Sequence, residues 1–410
     1  MPSTETPERH GTPEHHGSHR GLLWTADQQA TAPKAIDAII VPTARTPAYL
    51  AEAAKLAQAL DCTLVTLHSK KWTSAAKAAQ RLPRSVDLIA LDVPEQARLR
   101  LPDWATSRLL HGTVFARRTD LSAKRNLGLL LSRLLGWSRV LFLDDDITGL
   151  NPADMWTASG LLDTHNAVGL HIGGFPDHSV VCHAYRQAGG SQQSFIGGGA
   201  LVVQVERNIS FFPDIYNDDW FFLLNGDKRL QPVAVTGQVT QYPYDPFRNP
   251  DRARAEELGD VLAEGIYWLL DQNKPITEAD HAHWSTFLAY RRQFIERVRQ
   301  MVQQDATIGA ADQARRIEAL TGSLGRLALI TPQLCEGYLR AWAADRQRWQ
   351  EHLHNLPGDH LPGLPTGERR RQAIGLLSDP DASRLTCHIS TSGETELTMA
   401  GRVPADVGAS

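Results

Sequence analysis

The chain has 410 residues, 42% hydrophobic and 21% charged, with a formal net charge of −4. That length can bury one large core or two moderate ones, and the slightly acidic balance leaves no basic footprint, so no nucleic-acid partner is expected. Cys62, Cys182, Cys335 and Cys387 lie far apart with no CxxC pair, which argues against a zinc site or a disulfide framework and fits a reducing cytoplasm. No apolar run is long enough for a transmembrane segment and no apolar stretch follows the N-terminal charges, so a soluble, cytoplasmic protein is expected.

Residues 1–34 are rich in Pro, Gly, Thr, Glu and His and read as a disordered tail that cannot offset its ordering entropy. A loose metal site at His10, His15, His16 and His19 is less expected there than a solvated polar tail. Order begins with a strand over Ala35–Val41, followed by Pro42, Thr43, Ala44 and Arg45 and a helix over 48–60. A strand at Thr63–Leu67, a helix near 73–82 and a strand at Val86–Leu91 complete βαβ units, hence a parallel sheet and an α/β fold class.

The next helix carries Leu127, Leu130, Leu131, Leu134 and Leu135 as its buried stripe, with Asp120 or Ser122 as cap and Gly136 as its end. Lys124, Arg125 and Asn126 then fall in its first turn. Cations there oppose the helix dipole, and a bound anion would explain them; a solvated basic turn explains them equally well on this stretch alone. Directly after it, Arg139–Leu143 reads as a buried strand ending in Asp144, Asp145 and Asp146. Ligands of open α/β sheets bind at that carboxyl edge, and alternate carboxylates of an extended segment point the same way. Asp144 and Asp146 could thus face one hard divalent cation, Mn2+ or Mg2+, carrying a phosphate, against the alternative of a solvated acidic turn.

Short strands are expected at Ala167–His171 and Ser179–Ala184, and a further strand follows Gly197, Gly198 and Gly199, whose lack of side chains permits close approach to a ligand or a bulge. His165, His171, His178 and His183 lack ligand spacing and read as structural. Asp218 and Asp219 stand among aromatic residues from Phe211 to Phe222, where an apolar setting would raise a carboxylate towards the range of a base; Asn217 or Asp218 could also simply cap a helix. A strand pair follows over Leu230–Val239, and the proline-rich stretch 242–250 reads as an exit from the domain or a lid. Beyond it the chain reads as helical: Glu256–Asp271, a helix capped by Thr277, Gln313–Ile330, and one started by Thr331 and Pro332 that runs to about His354. His281 and His283 are two apart and do not share a helix face.

Taken together, Lys124-Arg125-Asn126, the Asp144-Asp145-Asp146 cluster as a DxD motif, Gly197-Gly198-Gly199 and Asn217-Asp218-Asp219-Trp220 resemble a GT-A type glycosyltransferase, close to the family 2 group of nucleotide-sugar transferases. The resemblance covers about 36–250. It implies a GT-A (Rossmann-like) mixed sheet flanked by helices and a nucleotide-diphosphate sugar donor with a hydroxyl acceptor. Asp144 and Asp146 would hold Mn2+ or Mg2+; Pro42, Thr43, Arg45, Lys124, Arg125, Asn126, Asp144 and Asp145 would lie on the nucleotide side. Gly197, Gly198, Gly199 and Trp220 would border sugar and acceptor, and Asp219, beside Asp218, would be the base of an inverting reaction. His68-Ser69-Lys70-Lys71 stands where such enzymes usually carry an acidic base-reading residue, so the base stays open, and a retaining mechanism on the same fold stays open too.

Two other readings compete. Leu141 to Thr148 satisfies the apolar-strand and DxDxT pattern of a haloacid-dehalogenase-like phosphohydrolase, with Asp144 as phosphoryl acceptor and Asp146 as acid/base, although that motif usually opens its domain. A non-catalytic nucleotide-binding protein is the other. The expected organisation is a tail at 1–34, a GT-A catalytic domain at 35–250, a helical C-terminal domain at 251–356 that is a candidate homodimer surface, and an irregular tail at 357–410.

Overall fold

The computed structural model describes residues 19–25, 32–69, 72–93, 99–117, 119–174, 179–191, 195–207, 210–226, 229–356, 366–378, 385–391 and 394–399. His10, His15, His16, Lys70, Lys71 and His178 lie outside them.

The strands are β1 (Trp24–Thr25), β2 (Ala38–Thr43), β3 (Thr63–His68), β4 (Leu88–Asp92), β5 (Arg139–Leu143), β6 (Ile147–Thr148), β7 (Ala167–Gly174), β8 (Ala200–Gln204), β9 (Leu224–Asn225), β10 (Arg229–Leu230), β11 (Val233–Gln241), β12 (Thr386–Thr391) and β13 (Glu394–Met399). All but the β9–β10 hairpin join one mixed sheet in the order β1-β11-β7-β8-β5-β2-β3-β4-β12-β13, with β6 on β11. Its centre is parallel, Ile40 of β2 standing opposite Val65 of β3 and Phe142 of β5, whereas β8 runs antiparallel to both β5 and β7.

The central strands are apolar throughout because both faces are covered. In β5, Val140 and Phe142 enter the core on one side and Leu141 and Leu143 the core on the other. Helices α1 (Ala51–Leu60), α2 (Ala75–Arg81) and α5 (Pro152–Leu161) cover the second side. The first side takes α3 (Ala105–Leu110), α4 (Leu121–Leu135), α6 (Val180–Gln187), α7 (Asp218–Phe222), α8 (Asp251–Asp271), α9 (His281–Gln304), α10 (Ala310–Leu327), α11 (Pro332–His354) and α12 (Thr366–Gly375). Gly128 lets α4 lie tight on the sheet, since a Cβ there would come within 2.8 Å of the Ile40 Cγ2. The residues of α8 to α11 share one continuous core with the sheet, so the helical region is packed onto the α/β part. No helix among the described residues is long and apolar enough to cross a membrane.

Several expectations are corrected. Ser179–Ala184 does not form a strand: the Ser179 hydroxyl accepts from the Cys182 N–H, the Glu256 carboxylate accepts from the Val180 N–H at 2.8 Å, and capping plus a carboxylate at the N-terminus make α6 a helix despite its valines. Thr277 lies in a 3-10 turn, and Asp280 caps α9 instead, accepting from the His283 N–H. Part of the expected irregular tail forms α12 and the β12–β13 hairpin, which extends the sheet antiparallel to β4. Within the expected N-terminal tail, His19 is buried and β1 pairs with Ala234 and Val235.

Candidate functional site

β5 delivers its three carboxylates to the carboxyl edge of the sheet, where the Asp144 N–H donates to the Gly199 carbonyl and the Ile147 N–H to the Asp144 carbonyl. The latter bond closes a turn, so the alternation of an extended strand does not apply, and Asp144 and Asp146 take different protein partners. Asp145 and Asp146 both accept from the Arg45 guanidinium, the Asp146 contact being 3.0 Å, and Asp145 also accepts from the Thr43 hydroxyl at 2.5 Å. Asp144 faces Arg125 instead, at 3.2 Å, and its side chain is 28% exposed against 7% for Asp145 and 10% for Asp146.

α4 begins at Leu121, so Lys124 closes its first turn and Arg125 and Asn126 fall in the second, not all three in the first as the leucine stripe alone suggests; Arg125 is buried there. Its Nη1 donates to Asp218 at 2.8 Å and its Nη2 to Asp144, which joins the end of β5 to the start of α7. Burial works against its charge, but Asp218 and then Asp144 outweigh that and hold the guanidinium protonated. Gly198 makes room for it, since a Cβ there would lie 2.6 Å from the Arg125 Cζ, and Gly199 borders Asp144 in the same way at 3.3 Å.

The neighbours of Arg125 do other work. Lys124 is buried and donates to the Thr43 carbonyl at 2.9 Å and the Ser69 hydroxyl at 2.6 Å, bracing the ends of β2 and β3. Asn126 spends its amide on Phe212, donating to its carbonyl at 2.7 Å and accepting from its N–H at 2.8 Å. Pro42 lies buried within β2 opposite Leu67. Arg125 is bonded to Asp144 of the acidic cluster, whereas Lys124 turns to Thr43 and Asn126 to Phe212, and the reason is directional: residues 124, 125 and 126 leave a helix about 100° apart. Neither Asp120 nor Ser122 caps α4 through its side chain; the Ser122 hydroxyl donates to Asp218.

Asp219 lies on the other side of Arg125. Its carboxylate accepts from the Gly198 N–H at 2.6 Å and the Trp220 N–H at 2.9 Å, and a Cβ on Gly197 would stand 2.9 Å from its Oδ2. Burial, followed by the adjacent Asp218 charge, pushes its carboxyl above the ordinary range, while Arg125 and the two N–H groups pull the other way. The net direction is upward, the direction expected from the aromatic flank. Trp220 sits among Phe195, Tyr267 and His19 with ring centroids 5.2, 4.6 and 5.4 Å away.

His19, read from the sequence as part of a solvated polar tail, is instead buried against α8. It is clamped between Asp271 at 2.5 Å and Glu264 at 2.9 Å. Burial disfavours its charge, but the two carboxylates prevail and raise the imidazole to about 9. Its signal is only a histidine in a polar segment, and its partners lie more than 240 residues away. His183 bonds Tyr244 and His171 bonds Arg20, both as structural contacts.

Among the described residues no group of three or more His, Cys, Asp or Glu side chains is arranged to enclose a metal. The donor set nevertheless suits Mg2+ or Mn2+, which take one or two carboxylates and complete their shells with phosphate and water. Asp144, the most open carboxylate of the triplet, and Asp146 supply hard oxygens of that kind.

No family model matches the chain, and no curated protein matches it. Among solved structures it aligns with a mannosyltransferase, PcManGT from Pyrobaculum calidifontis, in complex with GDP-Man and Mn2+, over 79% of this chain and 90% of that one, at 14% identity and a TM-score of 0.38. At that TM-score the alignment bears on neither activity nor ligand.

Proposed function

We propose that this chain is a metal-dependent glycosyltransferase of GT-A type that moves a sugar from a nucleotide-diphosphate donor to a hydroxyl acceptor with inversion, Asp219 serving as base. The observation that carries the reading is the bridge of Arg125 between Asp144 and Asp218, which binds the acidic strand end, the glycine run and the Asp218-Asp219 turn into one cluster.

Glycosyl transfer places negative charge on the departing diphosphate and a surplus proton on the attacking hydroxyl. Asp144 and Asp146 would hold Mn2+ or Mg2+, which when bound supplies Lewis-acid stabilisation of the diphosphate. Arg45, half exposed and hydrogen-bonded to Asp145 and Asp146, would donate to phosphate oxygens beside them. Asp218 stays engaged with Ser122 and Arg125, whereas Asp219, held by backbone N–H groups in an apolar wall, accepts the acceptor's proton at its carboxylate. The glycines keep side chains out of the space between.

A thermal-shift panel of UDP, GDP, dTDP, ADP and CDP, each with and without Mn2+ or Mg2+, tests the reading. One nucleoside diphosphate should stabilise the protein only with metal, by about 2.7 kcal/mol at a hundred times its dissociation constant. Asp146→Asn should abolish that shift, and Asp219→Asn should keep it while removing turnover. Stabilisation by Mg2+ with a phosphate mimic and by no nucleotide would favour the phosphohydrolase instead.

A further inference from the structure

Asp219 rides on a helix of only five residues, and the residue before that helix is in an uncommon conformation. Asn217 has φ 61° and ψ 36°, the left-handed region that costs a residue with a Cβ about 1 kcal/mol or more. A side chain at this position ordinarily accepts from an N–H of the first turn. Here it makes no such bond. Its Nδ2 donates across to the Asp260 Oδ1 of α8 at 3.0 Å.

Asp260 is itself held from a second side. It is buried, and its other oxygen accepts from the Arg291 Nη2 at 2.8 Å; Arg291, with no exposed side-chain surface, also grips Glu257 through two bonds of 2.8 and 3.0 Å. Beside it, Gly259 brings α8 against the same turn, since a Cβ there would fall 2.2 Å from the Tyr216 carbonyl oxygen. The Asn217 carbonyl in turn accepts from the Trp220 and Phe221 N–H groups at 3.1 and 3.3 Å, so the tilt of that peptide sets the axis of α7 and with it Asp219.

We propose that Asp260 and Asn217 are positioning residues for Asp219, a tether from α8 that holds the left-handed turn in one conformation and so aims the carboxylate. The proposal rests on the reading of Asp219 as the base. Glycine at 217 would adopt the same φ without strain yet also many others; asparagine tied to a fixed carboxylate adopts one.

Asn217→Gly in the full chain separates the tether from the strain, because the glycine loses the bond while taking φ 61° freely. Two readouts are needed. The first is release of nucleoside diphosphate from a sugar donor, with Mn2+ and the matching diphosphate as binding probe. The expected result is a ten- to hundredfold lower kcat for Asn217→Gly and for Asp260→Asn, with KM for the donor unchanged, and a double variant no worse than Asp260→Asn alone, which also loses the pairing with Arg291. The second needs no turnover: hydrogen exchange at the Trp220 and Phe221 amides should speed at least tenfold in both variants, with the global denaturation midpoint of Asn217→Gly unchanged. Unchanged exchange at those two amides, or wild-type kcat in Asn217→Gly, overturns the tether. Faster exchange in a protein whose wild type releases no diphosphate would uphold the tether and sink the glycosyltransferase reading.

Discussion

Two carboxylate clusters in this protein use the same chemistry to different ends. On α8, Glu256, Glu257, Asp260 and Glu264 are buried against Arg252, Arg291 and His19, and Arg291 and Glu257 have side chains only 0% and 1% exposed. At the sheet edge, Asp144 to Asp146 meet Arg45 and Arg125, but Asp144 and Arg45 keep 28% and 43% exposure. Sealed pairs of this kind fix one packing arrangement and have no free face to offer; open ones can exchange a protein cation for a ligand. Density of charge does not distinguish the two clusters. Access does.

The comparison breaks most readily at Arg291. Arg291→Met leaves Glu257 and Asp260 buried without their guanidinium and should cost roughly 3–5 kcal/mol in a urea titration. Full stability in that variant would show that the α8 cluster is not sealed. His19 gives the next largest effect. Its folded pKa, about 9, exceeds the unfolded value of 6.5, so its contribution is fully present below pH 6.5 and is lost as pH rises through 9. That amounts to roughly 3 kcal/mol, to be read as the difference in denaturation free energy between wild type and His19→Gln at pH 6 and pH 10. A constant difference across that range would remove the imidazolium from the account.

At the open cluster the effects on folding should be smaller. Gly198→Ala sets a methyl against a guanidinium that Asp144 and Asp218 prevent from moving, with an expected loss of about 1–3 kcal/mol and of nucleotide binding, both visible by thermal shift. Arg45→Gln leaves the largely buried Asp145 and Asp146 without a guanidinium that is itself 43% exposed, and should cost about 1–2 kcal/mol, less than Arg291→Met, while weakening metal-dependent nucleotide binding. A large stability loss there would make the edge cluster as structural as the one on α8.

The same contrast explains what could be read in advance. The central strands and α4 were legible because local apolar runs and a periodic leucine stripe determine them, and three adjacent aspartates cannot be hidden in a strand. The residues that gather around Arg125 were visible as four separate motifs. The α8 carboxylates were not, because their partners are distant in the chain: Asp260 meets Arg291 on α9, 31 residues on, and Glu264 meets His19, 245 residues back. Lys124 and Asn126 were visible as residue types but not in their direction. The helix at 180–187 escaped because its start depends on Glu256, 76 residues on, rather than on its own valines.

The pairing of β12 with β4 has a consequence for how the chain is made. Asp92 is synthesised roughly 290 residues before its partner Thr386, so at 5–20 residues per second the far edge of the sheet stays uncovered on the ribosome for roughly 15–60 seconds. An exposed apolar edge strand is a template for joining other chains. Nascent copies stalled before residue 386 should therefore be prone to aggregate or to recruit chaperones, and a synthetic peptide spanning β12 and β13 supplied in trans should suppress that association.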